Sequence, residues 1–95
     1  MIWKNGSVNK MEVIQSKEFI KQLKKIKDQK TKEKIFKQLE KIMENPKVGD
    51  LLSHEKGVRK MYIPPFRLLY AYRKDTLYLL DFDHRDKIYK KRRKT

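Results

Sequence analysis

Hydrophobic positions near the start of the chain change from a period of two to a helical period at Ser16. Residues 11–16, MEVIQS, alternate in the way that is typical of a short strand. Ser16 is placed to act as the N-cap of a helix, because apolar side chains follow it at helical spacing. These side chains are Phe19, Ile20, Leu23 and Ile26.

A second helical stripe follows after a polar break at residues 28–30. Thr31 is the predicted N-cap of this second helix, and Asn45-Pro46 ends it because proline cannot continue a helix. The stripe consists of Ile35, Phe36, Leu39, Ile42 and Met43. Two helices with so short a connection predict an antiparallel helical hairpin.

The second half of the chain returns to a period of two after a predicted loop at residues 47–57. Strands are predicted at 58–63, 66–73 and 77–82, with turns at Pro64-Pro65 and Lys74-Asp75. The element order β-α-α-β-β-β predicts an α+β fold in which an antiparallel sheet packs on the helical hairpin. We expect a leader at residues 1–10, one domain at 11–90 and a basic tail at 91–95.

Alternation along the predicted strands separates core residues from charged ones. Met61, Ile63, Leu68 and Tyr70 are expected in the core, whereas Arg67 shares the other face with Leu69 and Ala71. An arginine in the middle of a sheet requires a counter-charge. Two interpretations are open: an ion pair with Asp81 or Asp83 on the next strand, or a contact with an anionic ligand.

Net charge narrows the classes of partner. Twenty-six Lys and Arg against twelve Asp and Glu give +14 on 95 residues, which favours a polyanion or an acidic protein as the partner. The absence of cysteine excludes disulfides and thiolate metal sites and permits a cytoplasmic location. No apolar run approaches the ~20 residues of a membrane span, so no membrane partner is expected.

Candidate chemistry concentrates in the stretch DFDHRDKIY at residues 81–89. His84 can exchange a proton near neutral pH, Arg85 can bind a phosphate through two hydrogen bonds, and Tyr89 can stack on a base. The pattern contains no metal-ligand set, no glycine-rich phosphate loop and no serine-nucleophile motif, so neither a metal nor a cofactor is predicted. Arg, Lys, His and Tyr suit phosphodiester transesterification.

The run GVRKMYIPPFRLLYAYRKDTLYLLDFDHRDKIYK at residues 57–90 resembles the C-terminal half of the RelE/ParE toxin superfamily. The shared features are a Gly and then Arg-Lys at the start of a strand, an aromatic-Arg-apolar-apolar-Tyr strand, and a strand that ends in His-Arg-x-x-apolar-Tyr. The preceding β-α-α ending in ENP matches the same family, so the resemblance extends from residue 11 to about 91.

RelE-like members of this superfamily are toxins of type II toxin-antitoxin pairs. The resemblance implies a metal-independent endoribonuclease that cuts mRNA in the ribosomal A site by attack of a ribose 2′-OH on the adjacent phosphate. By position, Arg67 and Arg85 would neutralise the transition state. Tyr89 would stack or transfer a proton, Lys60 would contact the backbone or activate the 2′-OH, and His84 would be the general acid.

Other basic residues are expected to contact RNA: Arg59, Arg73, Lys87, Lys90, Lys91, Arg92 and Arg93. The sequence departs from the family where Tyr62 replaces a second basic residue, so one cationic contact is either missing there or replaced by stacking. Pro64-Pro65 also stands where a Gly-Asp turn is common.

The expected partners are the ribosome with its rRNA and mRNA, and a cognate RelB-like antitoxin whose amphipathic helix covers the toxin in a hetero-oligomeric complex. Two alternatives stay open. One is a ParE-like poison of DNA gyrase without nuclease residues, and the other is a non-catalytic module that binds nucleic acid through its sheet face.

Overall fold

The protein is described by a computed structural model over residues 11–93, excepting the side chains of Tyr89 and residues 91–93. The predicted leader at 1–10 and residues 94–95 of the predicted tail lie outside the described residues. The elements are β1 (Glu12–Gln15), α1 (Lys17–Lys24), α2 (Gln29–Glu44), β2 (Asp50–Leu51), β3 (Val58–Ile63), β4 (Phe66–Arg73), β5 (Thr76–His84) and α3 (Arg85–Arg93).

The strands form one five-stranded sheet in the order β1-β5-β4-β3-β2. The predicted meander β3-β4-β5 is antiparallel throughout, and the α+β fold class is confirmed. Strand β1 joins it in parallel beside β5, where Val13 is opposite Leu77. The first strand of the chain therefore pairs with the last, and α1 and α2 form the connection between β1 and the rest of the sheet. None of the described helices is long and apolar enough to cross a membrane.

Helix α1 begins at the serine that the sequence predicts. The Ser16 side-chain oxygen accepts the backbone N–H of Phe19 at 3.0 Å and donates to the carbonyl of Leu80 at 2.7 Å. The first bond supplies a partner for one of the N–H groups that a helix start leaves unpaired. The second joins the start of α1 to β5.

The N-cap of helix α2 lies three residues earlier than the predicted cap at Thr31. Asp28 is the N-cap, because its carboxylate accepts both the backbone N–H of Thr31 at 3.0 Å and the Thr31 hydroxyl at 2.7 Å. The prediction of Thr31 was wrong because a residue that can cap can also lie in the first turn and donate to the cap. These hydrogen bonds from Thr31 hold the pKa of Asp28 below its usual 3.8.

The larger hydrophobic core lies between the sheet and the helices α1 and α2. Its most deeply buried side chains come from α2 and from the central strands, including Ile35, Ile42, Leu68, Tyr70 and Leu77. We call this side of the sheet the helix face. The expected core positions Ile63, Leu68 and Tyr70 are buried there, and Met61 packs against them half-buried.

A smaller core lies on the opposite side, which we call the outer face. It consists of Val58, Leu69 and Ile88, with Leu52 and Leu80 packed against them. Ile88 belongs to α3, a helix that the sequence reading did not anticipate because residues 85–93 carry few apolar side chains. Helix α3 crosses the predicted boundary between domain and tail and covers part of the outer face.

A β-bulge in β5 changes which residues of this strand face the larger core. Leu69 is opposite Asp81 and Tyr70 is opposite Leu79, so Leu80 is an extra residue on β5. The extra residue shifts the alternation by one position, so that Leu79 before it and Phe82 after it both face the larger core, whereas Leu80 packs against the smaller one. Beyond the bulge the strand continues to His84, two residues past its predicted end.

The segment after α2 is held by a buried tyrosine hydroxyl. Tyr70 donates to the carbonyl of Pro46 at 2.8 Å and accepts the backbone N–H of Gly49 at 2.9 Å. A Cβ on Gly49 would lie 2.7 Å from the Lys60 carbonyl oxygen, so only glycine fits. This segment, predicted to be entirely loop, contains the short strand β2 beside β3.

Both predicted turns are confirmed. Pro64-Pro65, joined by a cis peptide bond, connects β3 to β4. Lys74 and Asp75 have φ values of 50° and 63° and connect β4 to β5 in the left-handed conformation that two-residue hairpin turns require.

Candidate active site

On the outer face, one basic residue of β3 lies near one basic residue of β4. In antiparallel pairs, residues opposite each other share a face. One row across the strands consists of Tyr62, Arg67 and Asp83, and the next consists of Lys60, Leu69 and Asp81. Lys60 and Arg67 are therefore diagonal neighbours, for which Cβ separations of about 7–8 Å are typical.

Arg67 is half-buried between an aromatic ring and a carboxylate-bearing residue. Its guanidinium carbon lies 5.0 Å from the centre of the Tyr62 ring, which is within the range of a cation–π contact. Asp83 is directly opposite it on β5. Tyr62 is about half exposed (51%), so its ring is open to a ligand, whereas Arg67 is partly exposed and its Nε is buried.

Two buried aspartates lie at the base of this face. Asp81 is 5% exposed and Asp83 is 8% exposed. A carboxylate oxygen of each accepts the backbone N–H of the following residue at 2.8 Å, Phe82 in one case and His84 in the other. Of the two partners that the sequence offered for Arg67, Asp83 has the matching cross-strand position. An ion-pair role and a ligand role for Arg67 are therefore compatible, since one edge of a guanidinium can face a carboxylate and another can face solvent.

Helix α3 brings Arg85 to the same end of the sheet. The backbone N–H of Arg85 donates to the Pro65 carbonyl at 3.3 Å, which fixes the start of α3 beside the β3–β4 turn. Arg85 is exposed, and burial of Ile88 against Val58 and Leu69 holds the helix over the sheet. Tyr89 follows in α3, but its side chain lies outside the described residues, as do those of Lys91, Arg92 and Arg93.

His84 is on the other face. It is opposite Phe66, and the two rings are tilted at 44° with their centres 4.7 Å apart. Phe66 packs against the larger core, so His84 faces α1 and the helix face. The resemblance placed His84 and Arg67 in one catalytic set, but alternation beyond the bulge turns their side chains to opposite sides of the sheet.

The remaining predicted RNA contacts divide by location. Arg59 is on the helix face, where its guanidinium donates to the backbone carbonyls of Lys47 and Gly49 at 3.2 and 2.7 Å. This arginine thus stabilises the segment after α2. Arg73 is exposed at the far end of β4, and Lys87 and Lys90 are exposed on α3.

Sequence reasoning underestimated the two aspartates. The sequence suggested Asp81 and Asp83 only as possible ion-pair partners of Arg67. However, they flank Phe82 in a largely apolar run, which places both within a buried strand. A carboxylate in such a strand is a signal for a specific polar contact, because buried charges are rarely left unpaired. Among residues 11–93, no group of three or more His, Asp or Glu side chains could hold a metal ion.

Comparison with models of known protein families identifies the family of this chain. The family model described as "ParE toxin of type II toxin-antitoxin system, parDE" matches residues 13–89, which is most of the chain and includes the whole sheet except Glu12. The chain belongs to the ParE toxin family. It is therefore a toxin of the RelE/ParE superfamily, as the motifs at residues 57–90 suggested.

Solved structures of related toxins share the fold. The toxin aligns with the intact RelBE toxin-antitoxin complex of E. coli with a TM-score of 0.70 and 16% identity, over 78% of this chain and 95% of the other. The isolated E. coli RelE toxin gives 0.69 and 17%, over 88% and 96%. The RelB-RelE complex of Methanococcus jannaschii gives 0.67 and 18%, over 82% and 96%. At these identities the likeness is one of fold. No match was found among curated proteins.

Proposed function

We propose that this toxin is a ribosome-dependent mRNA endoribonuclease that cuts in the A site and acts without a metal. The proposal is supported above all by one observation, the diagonal placement of Lys60 and Arg67 on an open face beside the exposed Tyr62 ring. Two cations and a stacking surface are the groups that bind and cut an RNA backbone without a metal.

In the proposed reaction the 2′ oxygen bonds to the adjacent phosphorus while the bond from phosphorus to the 5′ oxygen breaks. The products are a 2′,3′-cyclic phosphate and a 5′-OH, and the proton lost by the 2′-OH is balanced by one gained at the 5′ oxygen. Arg67 and Arg85 would neutralise the charge that develops on the phosphate oxygens. Lys60 would assist loss of the 2′ proton, and Tyr89 would stack on a base or supply the final proton.

His84 has a different place in this proposal from the one that the sequence suggested. Because its ring packs on Phe66 on the helix face, a phosphate bound at Arg67 would be on the other side of the sheet. We therefore assign proton transfer to groups of the outer face and α3.

The antitoxin is the second part of the proposal. A toxin of this family with a net charge of +14 calls for a partner that is acidic where it binds. We propose an antitoxin with an amphipathic helix that covers the outer face and forms a hetero-oligomeric complex in the cytoplasm. The superposed RelB-RelE complexes support such a partner, since their toxin chains share this fold.

A second function is favoured by a specific finding, which is that the matching family model is that of ParE toxins. Under this alternative the toxin would poison DNA gyrase, and Lys60, Arg67 and Arg85 would not cut RNA. We rank it second because the outer face combines the arginines that the RelE-like resemblance assigns to catalysis.

The test is primer extension on mRNA from a translating extract to which the toxin is added, beside the same RNA without ribosomes. We expect new 5′ ends at A-site codons only on translated mRNA. Arg67→Ala and Arg85→Ala should each lower the cleavage rate by ~10²–10³, by analogy with loss of one charge-stabilising donor. Lys37→Ala, an exposed position on α2, is the matched control and should cut at the normal rate.

Intact mRNA at all concentrations, together with gyrase-dependent breaks in plasmid DNA, would replace the nuclease by the gyrase alternative. Cleavage that survives both arginine substitutions would contradict the assignment of the outer face. Because cleavage depends on phosphate contacts, raising the salt concentration should weaken binding steeply.

A further inference from the structure

A cavity of about 290 Å³ opens on the helix face, between the C-terminal end of α1 and the end of β5. We call it the α1–β5 pocket. Its lining side chains include Lys25, Ile26, Phe66, Phe82, His84 and Lys87. The proposed cleavage reaction uses none of these residues.

The floor of the pocket is a continuous aromatic surface. The Phe66 and Phe82 rings are stacked, with centres 4.9 Å apart and an angle of 27°. Phe82 is fully buried, Phe66 is half-buried, and the exposed His84 ring lies against Phe66. The aromatic stack therefore begins in the core and ends at the surface. A planar ligand placed on it gains stacking contacts without requiring the core to move.

The rim of the pocket is basic. Lys25 is the C-cap residue of α1, and Lys87 is in the first turn of α3, so two separate elements each bring an ammonium group to the opening. Both lysines are exposed. Asp83 also lines the pocket, but it lies opposite Arg67 on the outer face, and its buried carboxylate accepts the backbone N–H of His84. The accessible charge at the rim is thus positive.

Gln22 adds a polar group to the wall. Its side-chain amide donates to the Glu18 carboxylate at 2.8 Å, which fixes the orientation of the carboxamide on α1. A planar floor, a carboxamide at the side and ammonium groups at the opening are the features that together recognise a base and its phosphate.

We propose that the α1–β5 pocket binds one unstacked base of single-stranded RNA, with Lys25 and Lys87 contacting the phosphate next to it. The base stacks on His84 and Phe66. This inference rests on the proposed function for RNA as the ligand, but it concerns a site on the opposite face of the sheet.

The two faces meet at one end of the sheet. Phe66 and Arg67 are consecutive on β4, and His84 and Arg85 are consecutive across the start of α3. An RNA strand with a phosphate at Arg67 reaches the pocket by passing around this end. The pocket would then hold a nucleotide outside the scissile step, so its loss weakens binding rather than chemistry.

The experiment measures binding of a fluorescent single-stranded RNA hexamer to the full chain by anisotropy. All riboses of the hexamer carry 2′-O-methyl groups, so no 2′-OH can attack and binding is read without cleavage. The matched ligand is the same hexamer with every base removed. We expect His84→Ala to weaken binding of the intact hexamer roughly 5- to 100-fold, the range for loss of one stacked base, and to leave the abasic one unchanged. His84→Phe should restore it.

Charge is tested separately with Lys25→Glu and Lys87→Glu against Lys37→Glu, an equal change on the exposed side of α2. The proposal requires a larger loss for the two rim variants than for the control. Equal losses would show general electrostatic attraction and overturn it, as would unchanged binding by His84→Ala. If these variants weaken the binding of an acidic helical peptide but not the binding of RNA, the pocket is a protein-docking site and the proposal is wrong.

The proposed nuclease activity and the proposed role of the α1–β5 pocket can be refuted independently of each other. Arg67→Ala should lower the cleavage rate by ~10²–10³ while retaining the difference in binding between the intact and the abasic hexamer. His84→Ala should keep the cleavage rate at saturating concentrations of ribosome-bound mRNA. A toxin that never cuts mRNA but shows the base-dependent binding would refute only the proposed function.

Discussion

Removal of one hydroxyl group, in Tyr70→Phe, tests how the outer strands are held to the helices. The Tyr70 hydroxyl connects Pro46, just after α2, with Gly49, just before β2. Tyr70 itself is fully buried, and so is Gly49. Phenylalanine fills the same volume without the hydroxyl, so the substitution changes hydrogen bonding and little else.

The magnitude follows from the two bonds that are lost. The N–H of Gly49 is left without this partner in a buried position, and a buried donor left unsatisfied costs about 1–3 kcal/mol. The Pro46 carbonyl is only partly buried, so water can replace the hydroxyl there at smaller cost. We expect the free energy of unfolding to fall by about 2–3 kcal/mol, which for a domain of this size lowers Tm by roughly 10–20 °C.

The assay is urea unfolding followed by circular dichroism, with Tyr72→Phe as the matched control on the same strand. The Tyr72 hydroxyl donates to Asp75 at 3.0 Å in an exposed turn, so its removal should cost under about 0.5 kcal/mol. Equal unfolding free energies for the two variants would refute the reasoning.

The dependence of the free energy of unfolding on alkaline pH gives an independent check of the role of Tyr70. Burial is the main cause that raises the pKa of Tyr70 above its usual value of 10.0. As pH rises, the unfolded chain therefore loses this proton before the folded chain does. The contribution of Tyr70 to the free energy of unfolding is complete below pH 10.0 and is lost as pH rises through the folded-state pKa. Tyr70→Phe should remove this part of the alkaline decline, and an identical decline in both proteins would contradict it.

Three further predictions concern other parts of the chain. Gly49→Ala should lower stability by about 1–3 kcal/mol in urea unfolding, because its Cβ would lie 2.7 Å from a backbone oxygen; unchanged stability would exclude this tight approach. The hydrogen bonds from Thr31 lower the pKa of Asp28, so this carboxylate stabilises α2 above pH 3.8 and loses the effect as pH falls through its folded-state pKa. Asp28→Asn should therefore reduce the loss of the free energy of unfolding at acid pH. An unchanged acid dependence of stability would count against the cap. Ile88→Ala should weaken docking of α3 by about 2–4 kcal/mol, measured as faster hydrogen exchange of α3 amides with β4 unchanged; uniform exchange rates would refute it.

The sequence was most informative where local pattern and packing agree. The stripes behind Ser16 and at 35–43 became α1 and α2, and the alternation at 58–63 and 66–73 became β3 and β4 with the predicted bounds. Their turn residues also have the predicted roles. Each of these features depends on neighbours within a few positions, because a helical or extended period is a property of a short segment.

The elements that sequence reasoning missed depend on distant partners. Among the described side chains of helix α3 only Ile88 is buried, and its burial needs Val58 and Leu69 from two different strands. Strand β2 exists because Tyr70 and Gly49 bring the segment after α2 beside β3. Local propensity is weak in such segments, and tertiary contacts decide their conformation.

The candidate site divides in the same way. The sequence by itself determined which residue types are available for the proposed chemistry, and the order of its motifs indicated the superfamily before any geometry. Only the tertiary structure decided which of those side chains face one another. One extra residue at Leu80 sets the phase of everything after it on β5, so Asp83 lies opposite Arg67 on the outer face and His84 lies on the helix face. The physical reason is that cross-strand register joins residues far apart in the chain, and a shift of one position exchanges the two faces of a strand.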